Sequence, residues 1–184
     1  MRVISGKFRG KKLLGFKGDD IRPTTDRVKE NVFNIISAKI RGSVFLDLFS
    51  GTGAIGIEAV SRGAAETYFC DEAKESASLT QKNLASVGVS ADSLLRCGFE
   101  EALKRLSASG KKFDFIYLDP PYASGFYAGA LRIIEEKDLL SEGGVAICES
   151  DAPVVFAGGL VKLDERKYGG TYIAFFGRAR EEQI

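Results

Sequence analysis

The sequence Phe115-Ile116-Tyr117-Leu118-Asp119-Pro120-Pro121-Tyr122 is an apolar run that ends in a carboxylate, two prolines and an aromatic ring. The apolar part is short and rich in aromatic and β-branched residues, which predicts a buried strand. The prolines prevent a helix or a strand ladder from continuing. Because open α/β sheets bind ligands at the carboxyl ends of their strands, Asp119 and Tyr122 become candidate site residues. A strand followed by a Pro-rich turn without function is the alternative.

Strand and helix patterns alternate around this run. From residue 43 onward, the sequence predicts strands at 44–48, 67–70, 93–96, 113–118, 145–149, 160–166 and 171–176, and helices at 54–62, 74–87, 100–106 and 126–136. Repeated β-α units predict a parallel sheet with helices on both faces. A hairpin signal at 167–170 makes the last strand antiparallel to its neighbours. We therefore expect an α/β fold with about seven strands in one sheet.

Residues 1–41 differ from the rest of the chain in charge. They contain 11 Lys and Arg against 4 Asp and Glu, whereas residues 42–184 contain 15 against 21. Alternation broken by glycines predicts a short hairpin over 2–14, and a helix follows Thr24 or Thr25. We divide the chain into a basic arm with the first helix (1–41) and a main domain (42–184). The imbalance indicates an anionic partner, most simply nucleic acid, although a solvated positive surface is the alternative.

Composition narrows the possible chemistry. The 184 residues suffice for one well-buried domain, and no long apolar run or signal-peptide core is present, so we expect a cytoplasmic protein. The absence of histidine excludes Ser-His-Asp hydrolysis and disfavours zinc catalysis, and we expect no metal. Cys70, Cys97 and Cys148 form no C-x-x-C pair, which favours buried, reduced thiols.

A glycine-rich loop follows the first strand of the main domain. Gly51, Gly53 and Gly56 form G-x-G-x-x-G, which occurs in dinucleotide sites. Asp47, at the end of the preceding strand, would place a carboxylate near the phosphates of NAD. A cationic ligand without phosphates suits the loop better, and S-adenosylmethionine carries a sulfonium and an ammonium group. The pair Asp71-Glu72 closes the second strand and can bind ribose hydroxyls, or it can be a surface pair that begins a helix.

With these elements together, the chain resembles the class I S-adenosylmethionine-dependent methyltransferases, with Asp119-Pro120-Pro121-Tyr122 as the motif of amino-group methylases. More narrowly, it resembles the bacterial small-subunit ribosomal RNA guanine-N2 methyltransferases (RsmD-like). The resemblance covers nearly the whole chain, and its other motifs are Arg2-Val3-Ile4-Ser5-Gly6, Arg9-Gly10-Lys11-Lys12-Leu13, Arg22-Pro23-Thr24-Thr25-Asp26-Arg27-Val28-Lys29-Glu30, Phe33-Asn34, Leu46-Asp47-Leu48-Phe49-Ser50-Gly51-Thr52-Gly53 and Lys167-Tyr168-Gly169.

The resemblance implies a Rossmann-like fold, S-adenosylmethionine as methyl donor and methylation of a guanine N2 in 16S rRNA, either free or within an assembling subunit. Because no extra interface is evident in the sequence, we expect a monomer. The resemblance implies these cofactor-binding residues: Asp47, Phe49, Gly51, Thr52, Gly53, Asp71, Glu72, Gly98 and Phe99. For Phe99, an ordinary place in the core is an equal alternative. Where relatives often carry Asp or Asn after the third strand, this chain has Cys97-Gly98, so we expect the adenine contact from backbone or a neighbour.

Methylating an exocyclic amine requires acceptors that hold its N–H groups and draw its lone pair out of conjugation. We expect the Asp119 carboxylate and the Pro120 carbonyl to do this, with Pro121 keeping the turn stiff and Tyr122 stacking on the extruded base. We expect RNA contacts, mostly to phosphates, from Lys7, Arg9, Lys11, Lys12, Arg22, Thr24, Arg27 and Lys29.

Three other functions share parts of this pattern. An adenine-N6 DNA methylase also uses Asp-Pro-Pro-Tyr, but it would normally need a separate target-recognition domain. A non-catalytic nucleic-acid binder on a degenerate methylase fold is disfavoured by the intact Asp47, Asp71 and Asp119. An NAD-dependent oxidoreductase is disfavoured by Asp47.

Overall fold

The computed structural model describes residues 1–16, 26–121 and 125–179, so the predicted site residues Arg22, Thr24 and Tyr122 lie outside the described residues.

Within these ranges the elements are α1 (Asp26–Ile35), α2 (Ser37–Ile40), β1 (Val44–Asp47), α3 (Ala54–Ser61), β2 (Glu66–Cys70), α4 (Lys74–Ser86), β3 (Leu94–Leu95), α5 (Phe99–Ala108), β4 (Phe113–Leu118), α6 (Gly125–Glu136), β5 (Leu140–Ser150), β6 (Leu160–Tyr168) and β7 (Thr171–Arg178). None of these helices is long and apolar enough to cross a bilayer.

One seven-stranded sheet runs through the molecule in the order β3-β2-β1-β4-β5-β7-β6. The pairs β2–β3, β1–β2, β1–β4 and β4–β5 are parallel, and β7 is antiparallel to both β5 and β6. This topology confirms the predicted Rossmann-like α/β fold with an antiparallel last strand.

The central strands are buried on both faces, as expected for a parallel sheet covered by helices. On one face, Phe45 and Phe115 pack with Phe33 of α1. On the other face, strand residues pack with Leu103 of α5 and Leu131 of α6. Because helices cover both faces, the carboxyl-terminal edge of the strands is where this sheet can meet a ligand.

Residues 1–16, here called the arm, pack onto the main domain. Arg2 and Lys12 form a single antiparallel bridge, so the predicted hairpin is reduced to one bridge and a turn. Val3 and Leu13 are buried in a cluster with Ile57 of α3 and Leu84 of α4. The division of the chain at residue 41 stays a prediction.

The prediction for Lys29 is wrong. We expect this residue to contact RNA, but only 1% of it is exposed. Its Nζ donates a hydrogen bond to the Arg2 carbonyl (2.6 Å) and lies 3.5 Å from Glu58 Oε2. Burial lowers the pKa of Lys29, and the Glu58 carboxylate opposes that shift. The amine is therefore committed to a buried ion pair and is not available to a phosphate.

Two elements and one cysteine also differ from the predictions. β5 begins at Leu140 rather than at residue 145, because its pairing with β4 continues across an irregularity that includes Gly143 at φ +68°. The four-residue helix α2 was not predicted. All three cysteines are free, and Cys70 and Cys148 are buried as expected, but Cys97 is only half-buried.

Candidate active site

Three carboxylates follow neighbouring strands at one edge of the sheet. Asp47 is the last residue of β1, Asp71 follows β2, and Asp119 follows β4. Because β1 lies between β2 and β4, the three residues come to the same edge. Asp119 is exposed, whereas Pro120 behind it is buried. The Asp119 carboxylate is therefore anchored at a strand end and remains accessible to a ligand.

Residues 48–53, here called the glycine loop, connect β1 to α3. Gly51 and Gly53 have positive φ angles of 52° and 77°, which L side chains rarely adopt, and Gly53 directly precedes α3. Gly56 lies inside α3, where an added Cβ would come within 2.2 Å of the Phe69 ring on β2. The first two glycines therefore shape the loop, and the third permits close packing of helix and sheet.

Asp47 is 2% exposed, and its Oδ2 accepts a hydrogen bond from the Gly56 N–H (2.9 Å). Burial, with a smaller contribution from the Asp71 charge, raises the pKa of Asp47 to about 7, although the Gly56 hydrogen bond opposes this shift. Through this hydrogen bond, Asp47 fixes the first turn of α3, the helix that follows the glycine loop. The negative charge of Asp47 can act on a ligand bound at the loop, but the buried side chain offers little surface for direct contact.

Asp71 connects the glycine loop to β2. Its Oδ2 accepts a hydrogen bond from the Gly51 N–H (2.8 Å), and its Oδ1 accepts one from the Ala73 N–H (2.9 Å). Burial raises the pKa of Asp71, and these two hydrogen bonds oppose the shift. Beside it, the exposed Glu72 places Oε2 3.2 Å from the position of a Cβ on Gly98, so a larger residue than glycine there would crowd Glu72.

A half-buried aromatic cluster lies next to these acids. Phe49 and Phe99, both predicted as cofactor residues, have ring centroids 5.6 Å apart. Phe126, near the start of α6, lies 6.2 Å from Phe49 and 5.5 Å from Phe99. Phe126 could not be singled out from sequence patterns, because nothing local distinguishes it from an ordinary helix residue. Together the three rings offer an apolar surface suited to a flat heterocycle.

Residues of the arm and of α4 contact the glycine loop through hydrogen bonds and ring packing. The side chain of Asn83, fully buried on α4, accepts a hydrogen bond from the Leu14 N–H (2.8 Å) and donates to the carbonyls of Leu14 (3.0 Å) and Thr52 (2.8 Å). The Phe16 ring would lie 3.8 Å from a Cβ on Gly51. The arm thus ends against the glycine loop. Sequence patterns could not show this, because Asn83 is 69 residues from Leu14.

A buried polar group supports the Asp119 strand end. Leu118 pairs in register with Cys148, so Asp119, the first residue after β4, lies beside Glu149, which is still within β5. The Tyr117 hydroxyl donates a hydrogen bond to the Glu149 carboxylate, and the Tyr127 hydroxyl of α6 donates to the Glu149 carbonyl. Burial raises the pKa of Tyr117, which keeps its hydroxyl protonated as a donor. β4, β5 and α6 are therefore fixed to one another at this edge.

Most of the described basic residues that were predicted to contact RNA are exposed, and they are Lys7, Arg9, Lys11, Lys12 and Arg27. Lys29 is the exception, for the reason given above. Within the described ranges, no group of three or more His, Cys, Asp or Glu residues could hold a metal ion.

Comparisons with known proteins agree with this architecture. A model of the family described as "Conserved hypothetical protein 95" matches residues 1–177. Ribosomal RNA small subunit methyltransferase D of Haemophilus influenzae is 32% identical over 180 residues, which cover 92% of this chain and 89% of that protein. YlbH of Bacillus subtilis, provisionally named an rRNA methyltransferase, is 36% identical over 180 residues, covering 96% of this chain and 98% of that protein.

The solved structure of a Haemophilus influenzae protein, provisionally named methylase HI0767, has a TM-score of 0.74 and 28% identity, covering 95% of this chain and 96% of that one. The likeness covers nearly the whole of both chains, and together with the sheet topology it identifies the present chain as a class I S-adenosylmethionine-dependent methyltransferase. Within that class, the chain belongs to the "Conserved hypothetical protein 95" family, that of the RsmD-like methyltransferases, which confirms the resemblance found in the sequence.

Proposed function

We propose that the protein transfers a methyl group from S-adenosylmethionine to the exocyclic N2 amine of a guanine in small-subunit ribosomal RNA. The observation that carries the proposal is the exposed Asp119 at the end of β4, one strand away from the glycine loop that follows β1. An acceptor for an amine and a loop for a methyl donor are thus neighbours. The names of the H. influenzae and B. subtilis relatives support ribosomal RNA as the substrate.

The residues around the glycine loop have the chemistry that the methyl donor requires. Asp71 and Glu72 offer carboxylate oxygens for ribose hydroxyls, and Phe49, Phe99 and Phe126 offer flat apolar surface for adenine. Asp47 supplies a carboxylate below the loop, where a cationic ligand would favour its ionised form. When bound, S-adenosylmethionine supplies a methyl group already activated by a sulfonium.

Asp119 and Pro120 would act on the target amine. The Asp119 carboxylate and the Pro120 carbonyl accept hydrogen bonds from the two N–H groups, which holds the amine and frees its lone pair. The lone pair of guanine N2 would form the new N–C bond while the bond between the methyl carbon and the sulfonium sulfur breaks, which leaves a neutral thioether. N2 would then release one proton, which Asp119 or solvent accepts. Alignment of the amine supplies much of the rate, because the methyl group needs no further activation. Pro121 and Tyr122 stay predictions as the stiff turn and the stacking surface for the base.

The exposed cations Lys7, Arg9, Lys11, Lys12 and Arg27 are proposed to contact RNA phosphates, which position a substrate without reading its sequence. Arg22 and Thr24 stay predictions in the same role.

The test is identification of the methylated nucleoside. Ribosomal RNA, naked and in assembling small subunits, is incubated with the protein and isotopically labelled S-adenosylmethionine, then digested and analysed by mass spectrometry. We expect label in N2-methylguanosine. Label in N6-methyladenosine, or methylation of DNA in preference to RNA, would overturn the guanine assignment, and no label in any nucleic acid would overturn the activity.

A further inference from the structure

A basic pocket lies between the arm and the end of α4. It has a volume of about 370 Å³ and is lined by Lys7, Phe8, Arg9, Lys11, Ser86 and Val87. Lys7, Arg9 and Lys11 are exposed, and Phe8 and Val87 are half-buried. The cations of this pocket are among the proposed phosphate contacts, but the pocket itself has no part in binding the methyl donor or the target amine. We call it the arm pocket.

The turn that forms one wall of the arm pocket is fixed to α3. The Lys7 N–H donates to the Ser61 carbonyl (2.7 Å), and the Phe8 N–H donates to Ser61 Oγ (2.9 Å). A Cβ on Gly6 would lie 1.9 Å from the Ser61 carbonyl oxygen, so the backbone of the turn lies directly against the helix end. The turn therefore presents its cations and its ring in a preformed arrangement, which lowers the entropic cost of binding.

Two further hydrogen bonds hold the chain that enters this turn. The fully buried Glu58 accepts them from the Ile4 N–H (2.8 Å) and the Ser5 N–H (3.0 Å). Glu58 is in turn paired with Lys29 and with Arg62. A buried carboxylate with this many partners is costly to displace, so the base of the turn is as firmly held as its tip.

The chemistry of the arm pocket matches an unpaired nucleotide. Within the described part of the chain, Lys7, Arg9 and Lys11 form no ion pair, and Lys7 Nζ lies over the Phe8 ring at 5.4 Å. These cations suit phosphates, and the Phe8 ring suits the face of a base. On the opposite wall, the Ser86 hydroxyl donates a hydrogen bond to the Asn83 carbonyl (2.8 Å), and its oxygen can still accept one from a base edge. A duplex would not expose a base to the ring.

The arm pocket is separate from the methyl-transfer site. The turn is bonded to Ser61, the last residue of α3, whereas the glycine loop precedes Ala54, the first residue. The eight residues of α3 rise roughly 12 Å between these ends. A nucleotide in the arm pocket therefore belongs to the flank of the substrate and not to the methylated guanine.

We propose that the arm pocket binds an unpaired flanking nucleotide of the RNA substrate, with its base stacked on Phe8 and its adjoining phosphates held by Arg9 and Lys11. The choice of RNA as the ligand rests on the proposed function. The site would contribute substrate affinity and leave the chemical step unchanged.

Binding of a short single-stranded RNA that carries 2-aminopurine tests this proposal, because the fluorescence of that base falls when it stacks on an aromatic ring. We expect Phe8→Leu to abolish the quenching and weaken binding by about 5- to 100-fold, the range of stacking on one aromatic side chain. Phe8→Tyr, which keeps an aromatic ring, should restore both. The double variant Arg9→Gln/Lys11→Gln should weaken binding, and Lys104→Gln, an exposed lysine on α5, should not.

Methylation assays on ribosomal RNA then separate this proposal from the proposed function. We expect the pocket variants to raise KM with kcat unchanged. If Phe8→Leu binds and quenches like the wild type, or if duplex RNA binds as well as the single strand, the arm pocket assignment is overturned while the methylation result stands. If the wild type methylates no RNA but Phe8→Leu still loses quenching, the pocket assignment stands and the proposed function fails.

Discussion

At the residue scale, ionisation of the buried Asp47 carboxyl makes the free energy of unfolding depend on pH. Its pKa is raised from 3.8 to about 7 by burial. Between these two pH values the folded protein keeps the proton that the unfolded chain releases, so the native state binds more protons. The free energy of unfolding must therefore decrease as the pH rises through this window, and the loss is complete above about pH 7.

We expect Asp47→Asn to remove this part of the pH dependence, because asparagine does not titrate and can still accept a hydrogen bond from Gly56. For an isolated shift of this size, the free energy of unfolding of the wild type would fall by up to about 4 kcal/mol between pH 4 and pH 8. This fall should be absent in Asp47→Asn. Chemical denaturation of both proteins across this range measures it, with the exposed Asp92→Asn as the control. Parallel curves for wild type and Asp47→Asn would contradict the buried, protonated carboxyl.

Lys29 shows where sequence reasoning fails at this scale. The apolar spacing of α1 places a lysine outside the core, and the partner that permits its burial, Glu58, lies 29 residues later in the chain. Phe126 and Asn83 were missed for the same reason: each acquires its role from residues that are distant in sequence. By contrast, the place of Asp119 at the end of a strand could be predicted, because the apolar run, the carboxylate and the prolines are adjacent in the sequence.

At the element scale, the contact between α3 and β2 fixes the glycine loop. Gly56 permits this contact, since a Cβ would lie 2.2 Å from the Phe69 ring. The Phe69 side chain is fully buried and cannot move aside freely. The position of the loop therefore depends on helix packing as well as on the backbone angles of Gly51 and Gly53.

We expect Gly56→Ala to destabilise the protein by about 1–3 kcal/mol through overpacking, although alanine favours a helix more than glycine does. Thermal or urea unfolding measures this change. Gly125→Ala is the matched control, because it also lies in a helix and its Cβ would meet no atom within 4 Å. Equal stability of Gly56→Ala and the control would show that α3 and β2 are less closely packed than described.

Asn83 joins the arm to the glycine loop, and the loss of its side chain should affect both. We expect Asn83→Ala to destabilise the fold by about 1–3 kcal/mol, because the carbonyls of Leu14 and Thr52 lose their buried donor. Hydrogen exchange should accelerate around residues 13–16 and 50–53 together, and S-adenosylmethionine should bind more weakly. Asn34→Ala, on the exposed side of α1, serves as the control. Faster exchange in the arm alone would refute the connection.

At the scale of the whole molecule, a basic arm is fixed to an acidic main domain. Electrostatic attraction between the arm and phosphates would release counterions, so RNA affinity should fall steeply with salt. We expect Lys11→Gln/Lys12→Gln to reduce the slope of log affinity against log salt concentration by about 0.7 for each single-strand phosphate contact that is lost. The pair Lys104→Gln/Lys137→Gln, on exposed parts of α5 and the end of α6, should leave it unchanged. An unchanged slope for the arm variant would remove the arm from the RNA interface.

The overall fold could be predicted because its signals are local and repeated. Strand β4 has the predicted boundaries, and each β-α unit carries its own apolar periodicity and turn residues. The start of β5 could not be predicted, because Glu142, Gly143 and Gly144 lack a strand pattern and pair only through the irregularity opposite β4. The position of the arm against the main domain could not be predicted either. Glu58, Ser61 and Asn83 bind backbone groups of the arm, and no sequence pattern indicates which backbone groups a side chain will bind.

In the proposed mechanism, the Asp119 carboxylate holds the amine that is methylated. Asp119→Asn keeps the size of the side chain but replaces one acceptor oxygen with an NH₂ group. That group is a donor, so it would face an N–H donor of the target amine and could not accept its hydrogen bond. Transfer of labelled methyl to ribosomal RNA is measured in a single turnover for both proteins, together with the dissociation constant of S-adenosylmethionine. We expect the rate to fall by about 100-fold or more, equivalent to about 3 kcal/mol, with the dissociation constant within about threefold of the wild type. A wild-type rate of transfer by Asp119→Asn would contradict the account.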